Sequence, residues 1–312
     1  MIVTERRAVF VGSIAVLLAT AGALLAASRA PDAESGTAGS RQRTEAIRAG
    51  IDALVQASGA EVAVAYKPLR GRDILLIRAD ETYHAASTMK VPVMIELYRQ
   101  ARAGRITLDE PIPIRNEFRS IVDGSPYTLS TSDDSDGEVY QAIGKTMTSR
   151  ELVEAMITRS SNLAANILID RLGAAHIQQT TDRLGATGMH VRRGVEDDKA
   201  FAKGLNNETT ARALMVLLDR IANGKAVDAK ASAEMLATLK RQAFDDAIPA
   251  GLPPGTIVAH KTGNITAIHH DAAIVYGPRP YILVVLVRGI ADEKVSAKLI
   301  ADISRVVWES HP

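Results

Sequence analysis

The residue types able to act together on a carbonyl group fall in three short segments. In Ser87-Thr-Met-Lys90 a hydroxyl and an amine stand three positions apart, where a loop meets an apolar helix carrying Val91, Val93, Met94 and Leu97. That step brings both groups onto one helical face. A hydroxyl is a weak nucleophile at neutral pH, so a base must take its proton, and a lysine can do so only when its amine is neutral. Burial near a second cation would depress the lysine pKa. Ser160-Ser161-Asn162 stands at the entrance of another apolar helix, Leu163-Ala-Ala-Asn166-Ile-Leu-Ile; alone, it reads as a helix cap. His260-Lys261-Thr262-Gly263 follows a short strand and would set a cation, a hydroxyl and a closely approachable backbone along a sheet edge. Alone, it is a strand end.

The elements that must position these groups follow from apolar periodicity. Ile47, Ile51, Leu54 and Val55 recur at helical spacing between Glu45 and Ala57, and strand patterns follow at Glu61–Tyr66 and Asp73–Arg78, joined through Pro68 and Gly71. Helical patterns dominate from Thr88 to about Ala222. Strands return at Thr256–Ala259, Asp271–Tyr276 and Tyr281–Arg288, before a last helix from Asp292 to Trp308. The order strands, helices, strands predicts an α/β (α+β) fold, an antiparallel sheet assembled from both chain ends and flanked by helices, with an all-α part inserted. We expect residues 43–86 and 225–312 in the sheet-bearing part and 87–224 in the helical part. The segment from Val191 to Asn207 reads as a loop holding Glu196, Asp197 and Asp198, and Thr209 or Thr210 caps the helix after it, which Gly224 ends.

Composition narrows the partners. Lys and Arg number 37 against 36 Asp and Glu, and 46% of the 312 residues are apolar. Such a chain buries an ordinary core and presents no field that would draw nucleic acid. The expectation is a monomer acting on a small molecule or a wall polymer. Arg6-Arg7 followed by the apolar run Ala8–Ala27 reads as a signal peptide over residues 1–29, with a permanent single-pass anchor as the other reading. Residues 30–42, rich in Gly, Ser and charge, read as a flexible linker. Cysteine is absent, so packing alone must stabilise the fold. Asp133-Asp-Ser-Asp-Gly137-Glu138 partly matches a calcium loop, but Ser132 and Ile143 occupy ligand positions, and the segment reads as a solvated acidic loop.

Together and in this order, the three segments resemble the Ser-x-x-Lys, Ser-x-Asn and Lys-Thr-Gly set of class A β-lactamases and penicillin-binding proteins. The resemblance runs through the whole chain from the first helix to the last. It implies that Ser87 is acylated, that Lys90 is base or proton relay, and that Ser160 passes a proton to the leaving nitrogen. Asn162 would hold the substrate's side-chain amide, and Lys261 with Thr262 its carboxylate. Gly263 would allow close approach, and the backbone N–H groups of Ser87 and Asn264 would form the oxyanion hole. Glu196 would activate the deacylating water. The resemblance implies no cofactor and no metal.

The chain departs from the family pattern in places. Ser161 stands where the pattern has Asp, and Ala200 where an Asn follows the loop glutamate, so Asp197 and Asp198 compete with Glu196 for the water. An ungapped alignment puts His270 where many relatives carry a carboxylate-binding arginine, which predicts affinity rising as pH falls. The alternative is a His269-His270-Asp271 segment that only packs beside the sheet. The leading function is a β-lactamase. The alternatives are a D,D-peptidase acting on D-alanyl-D-alanine peptides and a non-catalytic β-lactam sensor.

Overall fold

The computed structural model describes residues 32–71 and 73–310. In chain order the elements are α1 (Asp32–Ser58), β1 (Glu61–Pro68), β2 (Leu75–Ile77), β3 (Tyr83–His84), α2 (Lys90–Arg102), β4 (Pro111–Pro113), β5 (Phe118–Arg119), β6 (Pro126–Tyr127), β7 (Thr146–Thr148), α3 (Ser149–Thr158), α4 (Asn162–Leu172), α5 (Ala174–Leu184), α6 (Asp198–Ala202), β8 (Glu208–Thr209), α7 (Ala211–Ala222), α8 (Ala229–Leu239), β9 (Ile257–Ile265), β10 (Ile268–Tyr276), β11 (Tyr281–Arg288) and α9 (Glu293–Glu309). A 3₁₀ turn, Ala86–Met89, precedes α2.

Five strands form one sheet in the order β2-β1-β11-β10-β9, and each neighbouring pair is antiparallel. The period of two divides their side chains between two cores. Ala63, Ala65, Ile274, Ile282, Val284 and Leu286 face α2–α8 and join Met94, Leu168, Leu214, Leu217 and Met235. Val62, Val64, Val275, Leu283 and Val285 face the other way, against Ile47 and Ile51 of α1 and Ile300 and Ile303 of α9. Burying each of the Val, Ile, Leu and Met side chains contributes about 1.5–3 kcal/mol. The sheet strands are apolar on both faces, which explains why they read as continuous runs and not as alternations. β9 is an edge strand, and the catalytic candidates gather along it.

Local signals set the boundaries. Thr210 Oγ1 accepts from Ala213 N at 3.1 Å and caps α7, and Gly224 closes that helix at φ +69°. Asp292 caps α9 by accepting from Lys294 N and Val295 N. Helix α1 starts at Asp32, so it reaches into the stretch expected as flexible linker: no proline follows Pro31 before Pro68, and a helix anchored by Ile47 and Ile51 propagates backward until something stops it. The Arg6-Arg7 and Ala8–Ala27 segment lies outside the described residues. Among those described, no helix is long and apolar enough to cross a membrane.

Candidate active site

Ser87 lies in the 3₁₀ turn, and Lys90 is the first residue of α2. Ala86, just before the serine, has φ +44°, in the left-handed region that costs an alanine strain. Lys90 Nζ stands 2.9 Å from Ser87 Oγ, 2.5 Å from Ser160 O and 2.8 Å from Asn162 Oδ1. The side chain is fully buried. Burial pushes its pKa down to about 7, against the opposing charges of Asp134 and Glu196, so a large fraction of the amine is neutral near neutral pH.

Ser160 joins the two lysines. Its backbone is held at φ +61°, and its Oγ lies 3.3 Å from Lys90 Nζ and 3.0 Å from Lys261 Nζ. Lys261 also donates to Thr262 O at 2.9 Å. Burial and then the nearby Lys90 drive the Lys261 pKa well down, with Asp271 opposing. Gly263 brings β9 against the nucleophile: a Cβ there would lie 3.1 Å from Ser87 N and from Thr88 N, so any side chain would require the turn that carries the serine to shift. A cavity of about 420 Å³ opens over these groups, lined by Ser87, Ser160, Asn162, Thr262, Gly263 and Asn264 among others.

The loop before α6 brings one of its three acids to the site. Glu196 Oε1 accepts from Asn162 Nδ2 at 2.8 Å, and Oε2 from Ser130 N at 3.2 Å. Burial raises its pKa, with the Asn162 and Ser130 hydrogen bonds opposing. Asp197 is committed elsewhere: it caps α6 through Ala200 N and binds Ser120 Oγ and Ile121 N. Asp198 is exposed on the first turn of α6. The loop is clamped by Asn166, whose Oδ1 accepts from Val195 N at 2.6 Å while Nδ2 donates to Val195 O at 3.0 Å. Gly194 passes so close that a Cβ would meet Asn166 Oδ1 at 2.5 Å. Asn166 was visible in the second motif without a role, because the loop it holds arrives from about thirty positions further on.

His270 is not in the cavity, and the expectation that it binds a carboxylate is corrected. It pairs with Gly263 across the sheet and points toward the helical core, fully buried. Val287 N donates to its Nδ1 at 3.3 Å, so Nε2 carries the hydrogen and donates to His84 O at 2.9 Å. Burial lowers its pKa to about 4, so the ring stays neutral and cannot supply the predicted pH dependence. Because strand side chains alternate, His269 is the histidine of β10 that lines the cavity.

The acidic loop is also not simply solvated. Asp136 is buried, accepts from Glu138 N and pairs with Arg159. Asp134 Oδ2 accepts from Asn162 N and from Leu163 N, each at 2.9 Å. Ser161 caps α4 through Ala164 N, so the carboxylate missing at position 161 is supplied to the same helix start from a remote loop. The density of acids was the only available signal, since sequence does not show which backbone they meet.

A neutral-capable buried lysine beside a serine, a second serine bridging to another buried lysine, and a carboxylate joined through an asparagine define an active-site serine hydrolase that works through an acyl-enzyme. The profile of the Beta-lactamase enzyme family matches residues 46–311, and the chain belongs to that family; it is a serine β-lactamase-type hydrolase. It is 23% identical over 284 residues to β-lactamase VEB-1 of Pseudomonas aeruginosa, covering 86% of this chain and 91% of that one. It is 28% identical over 311 residues to a β-lactamase of Streptomyces albus G, covering 95% and 96%. Among solved structures, a leucine-to-glutamate mutant of PBP-A, captured as an acyl-enzyme with penicillin G, superimposes with TM-score 0.72 at 27% identity over 86% of this chain and 96% of that one.

Proposed function

We propose that the protein opens β-lactam rings through an acyl-enzyme on Ser87 and then hydrolyses it. Neutral Lys90 accepts the Ser87 Oγ proton as the oxygen attacks the ring carbonyl. The carbonyl oxygen gathers charge against the N–H groups of Ser87 and Asn264. As the ring C–N bond breaks, Ser160 donates a proton to the nitrogen and is resupplied through the lysines it touches. Lys261 and Thr262 receive the substrate carboxylate, and Asn162 its side-chain amide. Glu196 then takes a proton from the water that cleaves the ester and frees Ser87.

The observation that carries release, and so favours this reading over a wall peptidase or a sensor, is the 2.8 Å contact between Asn162 Nδ2 and Glu196 Oε1. It sets a carboxylate beside the residue that also touches Lys90. Residues 1–29 serve export in this reading, and residues 43–312 act outside the cytoplasm as a monomeric catalytic unit without a cofactor.

The test is the intact mass of the mature protein over time after penicillin is added, with product followed in parallel. Many turnovers with little adduct are expected. Glu196→Gln should retain acylation and trap the adduct. An adduct lasting hours on the unaltered protein would instead mean a penicillin-binding protein or sensor, and no adduct on Ser87 under any condition would reject the assignment.

A further inference from the structure

The backbone that presents the nucleophile is strained one residue before it. Ala86 sits at φ +44°, a conformation that an alanine keeps only where surrounding contacts enforce it. Those contacts can be traced group by group. Ala85 N donates to Asn207 O at 2.9 Å, and the carbonyl of His84 accepts from His270 Nε2 at 2.9 Å. The N–H of Ala86 goes to a side chain: it donates to His84 Nδ1 at 3.1 Å. Because a backbone N–H can only donate, that ring nitrogen is an acceptor, and the single hydrogen of the neutral ring lies on Nε2. The ring is seated from outside as well. Phe201 of α6 packs against it at 68°, with centroids 6.4 Å apart, and His84 pairs with Glu208 in the short β3-β8 ladder. Burial and then Arg193 push its pKa below that of an ordinary histidine, with Glu208 opposing, which keeps the acceptor nitrogen free of a proton.

We propose that His84 is a positioning residue: by accepting the Ala86 N–H it fixes the strained peptide, and with it the direction of the Ser87 N–H and Oγ. Acylation then depends on a ring that does not line the cavity and stands outside the three motifs. The proposal rests on the acylation of Ser87 by β-lactams. What the position requires is an acceptor aimed at the N–H two residues on. An asparagine can supply one, since its side chain accepts from the backbone at that spacing, whereas alanine and phenylalanine cannot.

The test measures acylation by saturating penicillin in rapid mixing, and binding by calorimetry in a Ser87→Ala background. His84→Ala should slow acylation about tenfold while binding changes by less than about twofold. His84→Phe, which keeps an aromatic contact with Phe201 but lacks the acceptor, should be equally slow, and His84→Asn should recover most of the loss. Acylation at the unaltered rate in His84→Phe would show that packing alone suffices and would overturn the proposal. So would a His84→Asn protein as slow as His84→Ala, or binding reduced as much as acylation. Amide hydrogen exchange reads the geometry without chemistry: the Ala86 N–H should be protected in the unaltered protein and in His84→Asn, and exchange faster in His84→Phe. If the unaltered protein never acylates, the functional reading fails. Protection at Ala86 that ignores the residue at position 84 overturns the positioning role whether or not Ser87 reacts.

Discussion

The two sides of the cavity are built differently. On one side Lys90 begins α2 and Lys261 lies within β9, so both sit on regular elements packed into the sheet and helical core. On the other side Glu196 and Asp134 come from loops, and side-chain-to-backbone hydrogen bonds hold these segments: Asn166 to Val195, Asp197 to Ile121, Asp134 to Asn162 and Leu163. Burial acts on both sides with opposite sign. It lowers the pKa of the lysines and raises that of Glu196, so both kinds of group are moved toward neutrality. In the proposed reading, acylation falls to the side built on regular elements and release to a clamped loop.

The largest break in this comparison should come from Lys90→Met, which removes the base. Acylation should fall about a thousandfold in rapid-mixing kinetics above pH 7, and by less at lower pH, where Lys90 is already protonated. A fall of less than tenfold would mean that another group takes the Ser87 proton. Asn166→Ala attacks the other side by releasing the clamp on Val195. The rate of adduct decay should drop about a hundredfold while acylation changes far less, since small displacements of a positioned group carry penalties of that order; equal loss in both steps would show that the two sides are not separable.

Asp134→Asn is expected to have a smaller effect, about tenfold on turnover, because it weakens two backbone hydrogen bonds at the start of α4 without removing a reacting group. Adding Ser161→Asp should recover part of the loss, and no recovery would mean that Asp134 acts through its charge on Lys90 and Glu196. The pH profiles sharpen the same contrast. Neutral Lys90 is the reactive form, so acylation should rise as pH climbs through about 7 and then level. Ionised Glu196 is the reactive form, so adduct decay should fail on acidification at a pH above that of an ordinary glutamate. Least of all, His270→Gln should leave the pH dependence of KM unchanged between about pH 5 and pH 8.

Much of the rigid side could be read directly. The Ser-x-x-Lys step is local to one turn, and the close approach at Gly263 follows from a glycine on an edge strand. β11 spans the predicted Tyr281–Arg288, whereas β9 runs to Ile265, six residues beyond the predicted Ala259, because pairing with β10 carries the ladder through the Lys-Thr-Gly motif. The loop side was legible only in part. Glu196 could be named but not separated from Asp197 and Asp198, because an acid that caps a five-residue helix looks the same in sequence as one that faces a cavity. Ungapped counting also assigned the carboxylate to His270, when the pleat of β10 presents His269.

By itself, then, the sequence determined the order of elements, the apolar faces that bury them, and the candidates for nucleophile, base and second cation, since these depend on residue type and on spacing within single turns and strands. The tertiary structure alone decided which loop acid meets Asn162, which histidine lines the cavity, and that Asp134 serves a helix start 28 positions away. Those outcomes depend on contacts between segments far apart in the chain, where one residue of register reverses the face a side chain presents.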